Sequence, residues 1–230
     1  MILATIMWLM YKGGDSEMIL YDGNGKQLTI TNENIKPYEG KKWAVLGDSI
    51  SMSHATNYYH TLIAEELGFT VENLAASGKG YAYIRDTAVP NISEDVGLIT
   101  IFAGTNDMTS GGSPGSASDT GDTFCGTVYQ TILAIQELYP DVPLGIITPT
   151  PRYDSTQYTN WVINIAAAIK GVCELHSVPC LDLNTESGIF GLTAGNKEYY
   201  FDGDSLHLND AGHAVIAAKI KPFIETIMPL

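Results

Sequence analysis

The sequence has few basic residues. Lys and Arg together number 12 against 26 Asp and Glu, which gives a formal net charge of −14 at pH 7. The basic residues also form no cluster along the chain. Because a phosphate backbone and an anionic lipid surface both repel an acidic protein, we expect no nucleic-acid partner and no membrane insertion.

Cysteine is scarce as well, with three residues, Cys125, Cys173 and Cys180. An odd and sparse set does not predict a disulfide framework. The sequence has no C-x-x-C motif and no His/Cys cluster, so we expect no metal site of the structural zinc type. We interpret Cys173 and Cys180 as buried free thiols, and a pair between them is the alternative.

Long apolar runs are also missing. The opening run MILATIMWLMY is too short to span a bilayer, and it lacks the basic region and cleavage site of a signal peptide. The sequence therefore predicts a cytoplasmic protein or a part of a larger exported or virion protein. We interpret the run as a strand or short segment that covers a core edge, and a docking surface for a larger protein is the alternative.

Turn-forming residues divide the chain near residue 40. Asp22-Gly23-Asn24-Gly25 lies between two apolar stretches and predicts a β-hairpin, and Pro37 and Gly40 mark a connection. We therefore predict an N-terminal β-hairpin appendage over residues 1–40. Residues 41–230 are long enough for one α/β domain.

From residue 41 onward, short apolar runs alternate with helical periodicity. This alternation predicts a parallel sheet with helices on both faces. Right-handed crossovers then bring the carboxyl ends of the strands to one edge, where such sheets bind ligands. The predicted strands are 43–47, 69–75, 98–104, 142–149 and 178–184, and the predicted helices run to Leu67, over 127–139 and 158–176, and from Asn209 or Asp210 toward Thr226.

Four polar segments are expected at that edge of the sheet. Gly47-Asp48-Ser49 follows the first strand, and 73–78 closes the second. Gly104-Thr105-Asn106-Asp107 follows the third strand, and 202–207 precedes the last helix. Topology alone allows all four to meet.

The residue types in these segments suit nucleophilic catalysis. A serine hydroxyl needs a base, histidine is a suitable base, and a carboxylate usually orients its ring. Ser49 can serve as the nucleophile and His207 as its base, and Asp204, three residues before His207, could orient the ring from the same turn. An oxyanion needs fixed donors, which Ser49 and Gly78 can offer from the backbone and Asn106 from its side chain.

Two residues compete for these roles. His213 lies six residues after His207, but no carboxylate precedes it at a similar short spacing. Asp202 competes with Asp204 for the orienting role, and a turn-forming residue is the other interpretation.

Other polar residues near Ser49 receive structural interpretations. We expect His54 and His60 to lie on a helix surface, with His54 lining the cleft as the alternative. Asp48 and Asp107 are expected to accept hydrogen bonds from nearby backbone N–H groups.

The chain resembles the SGNH (GDSL-type) hydrolases. Their motifs G-D-S, an oxyanion glycine, G-x-N-D and D-x-x-H correspond in order to Gly47-Asp48-Ser49, Gly78, Gly104-Thr105-Asn106-Asp107 and Asp204-Ser205-Leu206-His207. The resemblance spans residues 47–207, and it departs from many relatives at Leu208, where they have proline. It implies a three-layer α/β/α sandwich with a flavodoxin-like, five-stranded parallel sheet.

The resemblance also implies an activity. It predicts hydrolysis of acyl esters through an acyl-enzyme, without metal or organic cofactor. The triad would be Ser49, Asp204 and His207, and the oxyanion hole Ser49, Gly78 and Asn106. The acidic composition and the lack of an extended apolar lid favour short acyl groups, such as acetyl on a carbohydrate or a small alcohol. The loop 110–121 is interpreted as either a lid or a solvated linker.

Two other classes of protein are considered. The N-terminal appendage also fits a binding or structural module of a larger assembly, for instance a phage tail or a cell-wall protein. A flavin- or nucleotide-binding protein is disfavoured because the sequence has neither G-x-x-x-x-G-K-[ST] nor G-x-G-x-x-G after a strand.

Overall fold

The computed structural model describes residues 8–12, 15–21, 25–30, 36–107 and 113–228. The predicted turn residues Asp22-Gly23-Asn24 and the first part of the opening apolar run lie outside the described residues, as do residues 110–112 of the predicted loop. No helix among the described residues is long and apolar enough to cross a bilayer.

The N-terminal strands form a three-stranded antiparallel sheet in the order β1-β2-β3. β1 is Trp8–Lys12, β2 is Asp15–Tyr21 and β3 is Gln27–Ile30. Tyr21 pairs with Gln27, which confirms the predicted hairpin. The end of the opening apolar run forms β1, so the strand interpretation of that part is confirmed.

The second sheet has five parallel strands in the order β5-β4-β6-β7-β8. This order confirms the predicted flavodoxin-like α/β fold. Successive strands are added on one side of β4 up to β5 and on its other side from β6 onward, so the strand order reverses between β4 and β6. Ligands of such sheets bind beyond the carboxyl ends of the strands at that reversal. The strands are β4 Lys42–Gly47, β5 Thr70–Asn73, β6 Val96–Phe102, β7 Leu144–Ile147 and β8 Cys180–Leu181.

Helices connect these strands and cover the sheet. Polar side chains cap the long helices, because the first N–H groups of a helix need external acceptors. Thr123 caps α3, Ser155 caps α4 and Asn209 caps α7. The helices are α1 Tyr59–Leu67, α2 Tyr81–Tyr83, α3 Phe124–Leu138, α4 Thr156–Leu175, α5 Leu183–Glu186, α6 Ala194–Tyr200 and α7 Asp210–Ile227.

The sheet separates two hydrophobic cores. Alternate residues of β4 face opposite layers, as the two-residue period of a strand requires. Ala44 and Leu46 pack in the core with α3 and α4, whereas Trp43 and Val45 pack in the core with α1 and α7. The molecule is therefore a three-layer sandwich in this region.

Several predicted elements differ in length from the observed ones, and two of them have a clear local cause. The helix predicted to follow the first strand and run to Leu67 begins only at Tyr59, because the chain after a short 3-10 turn at Ser49–Ser51 is irregular. The strand predicted over 178–184 is confined to Cys180–Leu181, because Asp182 accepts from the N–H of Asn184 and starts α5.

Candidate active site

Ser49 lies at the point where the sheet order reverses. It follows β4 and begins the 3-10 turn, and Oδ1 of Asp48 caps that turn by accepting from the N–H of Ile50 at 3.0 Å. Gly47 is required there, because a Cβ would lie 2.7 Å from the carbonyl oxygen of Phe102. The close approach of Gly47 to Phe102 and the capped turn together hold the backbone of Ser49 in place.

The structure brings His207 to Ser49 across the fold. The Nε2 atom of His207 lies 2.9 Å from the Oγ of Ser49, although the two residues are 158 positions apart in the sequence. The Nδ1 atom of His207 lies 2.5 Å from Oδ2 of Asp204. Since an ionised carboxylate only accepts, Nδ1 carries the proton toward Asp204 and Nε2 faces the hydroxyl as an acceptor.

A tight turn holds Asp204 and His207 together. The other carboxylate oxygen of Asp204 accepts from the backbone N–H groups of Leu206 and His207 at 2.9 and 2.8 Å. Ser205, between them, has a left-handed φ of +63°. Burial alone would raise the pKa of Asp204, but the hydrogen bonds from the His207 ring and from these N–H groups outweigh it and lower that pKa. Asp204 is therefore anionic at neutral pH.

The predicted oxyanion residues lie on two loops that are tied together. Gly78 has a φ of +70° and open space where a Cβ would stand. The side-chain amide of Asn106 donates to the carbonyl oxygen of Lys79 at 3.0 Å, which commits one of its two N–H groups. Asp107 accepts from the backbone N–H of Tyr81 at 2.9 Å.

Two carboxyl groups adjoin the site, the buried one of Asp48 and the half-buried one of Asp107. Burial raises the pKa of Asp48 to about 7 and the pKa of Asp107 to about 6, since a low-dielectric environment disfavours the charged form. Asp48 accepts from the nearby backbone N–H of Ile50, as the sequence predicted, whereas Asp107 accepts from the N–H of Tyr81, 26 positions away in the sequence.

The competing residues occupy other positions. His213 is fully buried, and its Nδ1 accepts from the N–H of Tyr59 at 3.3 Å, whereas His207 is the imidazole within hydrogen-bonding distance of Ser49. The Oδ2 atom of Asp202 lies 3.1 Å from the Nδ1 atom of His54, so Asp202 has another partner than His207 for its carboxylate. His60, predicted on a helix surface, is instead buried and contacts the carbonyl oxygen of Ser51.

Two features of the site were not predicted from the sequence. The ring of His54 stacks on the ring of His207, and spacing gave no signal for this contact. The link from Asp107 to Tyr81 depends on a short helix, α2, whose three residues carry no periodic pattern.

The described part of the predicted loop packs against α3. The N–H of Cys125 donates to the carbonyl oxygen of Pro114, and the side chain of Gln130 donates to the carbonyl oxygen of Thr120.

Within the described ranges, no group of three or more His, Cys, Asp or Glu side chains could hold a metal ion.

This fold and this site define a class of protein: an α/β sandwich with a hydrogen-bonded serine, histidine and aspartate at the reversal point of its parallel sheet. The chain belongs to the GDSL-like lipase/acylhydrolase family, whose model matches residues 45–215. It is therefore a hydrolase of the esterase and acylhydrolase type. No curated protein matches the chain significantly.

Solved structures share the fold over most of the chain. A protein from Lactobacillus plantarum is 27% identical, covers 83% of this chain and 99% of its own, and has a TM-score of 0.73. The lipase/acylhydrolase from Enterococcus faecalis is 18% identical, with coverages of 83% and 98% and a TM-score of 0.59. A catalytic mutant of an acetylxylan esterase from Geobacillus stearothermophilus is 16% identical, with coverages of 83% and 96% and a TM-score of 0.59.

Proposed function

We propose that this protein hydrolyses carboxylic esters through an acyl-enzyme on Ser49, with His207 as general base and Asp204 as the group that orients it. The observation that carries this proposal is the unbroken hydrogen-bonded chain between the three side chains, with distances of 2.9 and 2.5 Å. The same constellation activates serine in unrelated hydrolases.

The reaction proceeds in two halves. The Oγ of Ser49 attacks the ester carbonyl carbon while Nε2 of His207 takes the hydroxyl proton. The tetrahedral intermediate then breaks its bond to the alcohol, which leaves with the proton from Nε2. A water molecule, deprotonated by the same nitrogen, then attacks the acyl carbon. The bond from that carbon to the Oγ of Ser49 breaks, the Oγ takes the proton back from Nε2, and the carboxylic acid leaves. Asp204 stabilises the imidazolium ion that forms in each half.

The negative charge on the carbonyl oxygen requires donors that are already in place. We assign this role to the backbone N–H groups of Ser49 and Gly78 and to the second N–H of the Asn106 amide. The bond from that amide to Lys79 supports the assignment, because it fixes the side chain without using both N–H groups.

We propose short, uncharged acyl esters as substrates, with acetyl groups on a carbohydrate or a small alcohol as the leading class. The net charge of −14 disfavours anionic substrates and anionic lipid surfaces. One structural neighbour is named as an acetylxylan esterase, which supports the same class.

Ser49→Ala tests the proposed nucleophile. We expect turnover of p-nitrophenyl acetate to fall by at least about a thousandfold, because only the oxyanion donors and substrate binding remain. Ser118→Ala, at an exposed serine outside the site, is the matched control and should keep full activity. Wild-type turnover in Ser49→Ala would refute the proposal.

A second candidate function is docking onto a larger assembly, through an N-terminal appendage over residues 1–40 that adjoins a hydrolase domain over 41–230. The three-stranded sheet lies outside residues 45–215, which the family model matches, and this observation favours the docking role. The two functions are compatible. A scaffold without catalysis would not turn over p-nitrophenyl acetate at all.

A further inference from the structure

His54 and Asp202 form a second histidine–aspartate pair beside the first. The rings of His54 and His207 stack with their centroids 3.9 Å apart and their planes 19° apart. The Nδ1 atom of His54 lies 3.1 Å from Oδ2 of Asp202, and since an ionised carboxylate cannot donate, His54 donates to Asp202. The proposed base is therefore covered on one face by a ring that has its own carboxylate partner.

The backbone holds both members of this second pair. His54 has a left-handed φ of +73°, a conformation that is uncommon for residues other than glycine, although histidine adopts it more often than most. The backbone N–H of Asp202 donates to the carbonyl oxygen of His207 at 2.8 Å. Asp202 thus belongs to the same turn as His207, and the pair joins that turn to the loop after Ser49.

We propose that His54 is a positioning residue for His207, an inference that rests on the proposed function of Ser49 and His207. The hydrogen bond to Asp204 fixes the tautomer of His207, but the contacts at Nδ1 and Nε2 hold the ring only along one axis and leave its tilt about that axis free. The stacked His54 ring removes that freedom, because it lies against one face of the His207 ring and blocks its rotation toward that side. Nε2 is thereby kept directed at the Oγ of Ser49.

Asp202 holds the His54 ring in its orientation. Its hydrogen bond holds the plane of the His54 ring, so the orientation of His54 is set from the same turn that carries the base. Asp204 therefore controls which nitrogen of His207 is the acceptor, and the His54–Asp202 pair controls where that nitrogen points.

The test is His54→Gly, which removes the ring and tolerates the positive φ. We expect kcat for p-nitrophenyl acetate to fall about tenfold or more while KM changes less than about twofold, because misplacement of a catalytic group acts on the transition state. The rate at which a fluorophosphonate inactivates Ser49 should fall by a similar factor, since that reaction also needs the base.

Two further variants separate positioning from folding. His54→Phe keeps an aromatic ring for stacking and should recover part of the lost kcat. Asp202→Asn keeps a hydrogen-bond acceptor without the charge and should lower kcat less than His54→Gly does. His176→Ala removes an exposed histidine that packs on Tyr129 outside the site, and it should leave kcat unchanged. Denaturant unfolding of each variant verifies that the protein is folded.

Three results would overturn the inference. They are a wild-type kcat and inactivation rate in His54→Gly, a change in KM alone, and, when His54→Gly fails to fold, a wild-type kcat in Asp202→Asn. If Ser49→Ala retains turnover, the proposed function itself is wrong. If Ser49→Ala is inactive and His54→Gly behaves as wild type, only the positioning role is wrong.

Discussion

His213 is a buried titratable group close to the site but outside the proposed triad. Burial, together with the nearby His60, lowers its pKa to about 4, although Asp210 acts in the opposite direction. Its Nδ1 accepts from the N–H of Tyr59, a bond that only the neutral ring can make at that nitrogen. A charged His213 would thus oppose a backbone donor inside the core.

The pKa of His213 predicts a loss of stability in acid. Its folded-state pKa lies below the unfolded value of about 6.5, so its contribution is fully present above about pH 6.5 and is lost as the pH falls toward 4. We expect the free energy of unfolding of the wild type to fall by roughly 3 kcal/mol more than that of His213→Gln between pH 7 and 4.

Denaturant unfolding at several pH values measures this difference. The comparison with His213→Gln is necessary because burial raises the pKa of Asp48 to about 7, so that group makes the fold less stable as the pH rises. Asp48 is present in both proteins and cancels. Parallel pH curves for the two proteins would contradict the buried, neutral state of His213.

At the scale of elements, two loops carry the proposed oxyanion donors and depend on each other. Asn106 donates to Lys79, and Asp107 accepts from Tyr81, so each loop holds the other. A Cβ on Gly80 would lie 2.3 Å from Oδ1 of Asp107, which leaves no room for a side chain between them. The loops thus act as one unit.

Asp107→Ala tests this coupling. We expect kcat for p-nitrophenyl acetate to fall about tenfold, because Gly78 is no longer held at a fixed distance from Ser49. The lost acceptor also leaves the Tyr81 N–H unpaired, which costs about 1–3 kcal/mol of stability. Asp107→Asn keeps an acceptor oxygen, so both its kcat and its free energy of unfolding should be close to those of the wild type.

Asp119→Ala is the matched control for Asp107→Ala. Asp119 also accepts from a backbone N–H, that of Ser116, but in the exposed loop before α3. Its loss should leave kcat unchanged. A kcat of Asp107→Ala equal to that of the control would show that the two loops are held independently.

The strands and the long helices were predictable from the sequence, and the short helices were not. The continuous apolar run of β6 indicates a buried strand. The apolar residues of α3 and α4 recur over several turns, which indicates a helix. α2, α5 and α6 have three, four and seven residues, too few turns for a period to appear. Contacts with the rest of the fold decide their conformation.

For the whole molecule, the meeting of Ser49 with His207 follows from topology, but the contact with His54 does not. Parallel strands with right-handed crossovers bring their carboxyl ends together, so motifs that follow strands predict one site. The stacking of His54 depends on a left-handed φ and on Asp202, 148 positions away. Neither can be inferred from spacing along the chain.

The acidic surface and the separate N-terminal sheet are also properties of the whole chain. The net charge of −14 raises the cost of approach for any anionic substrate. Catalysis, as proposed, uses only segments within the residues that the family model matches. The three-stranded sheet takes no part in the proposed chemistry.

The most direct measurement of the central claim is peptide mapping by mass spectrometry after reaction with a fluorophosphonate, for the wild type and for His207→Gln. We expect one adduct, on Ser49. The rate at which it forms should fall at least about a hundredfold in His207→Gln, because the base that takes the hydroxyl proton is missing. An adduct on another residue, or equal rates in the two proteins, would contradict it.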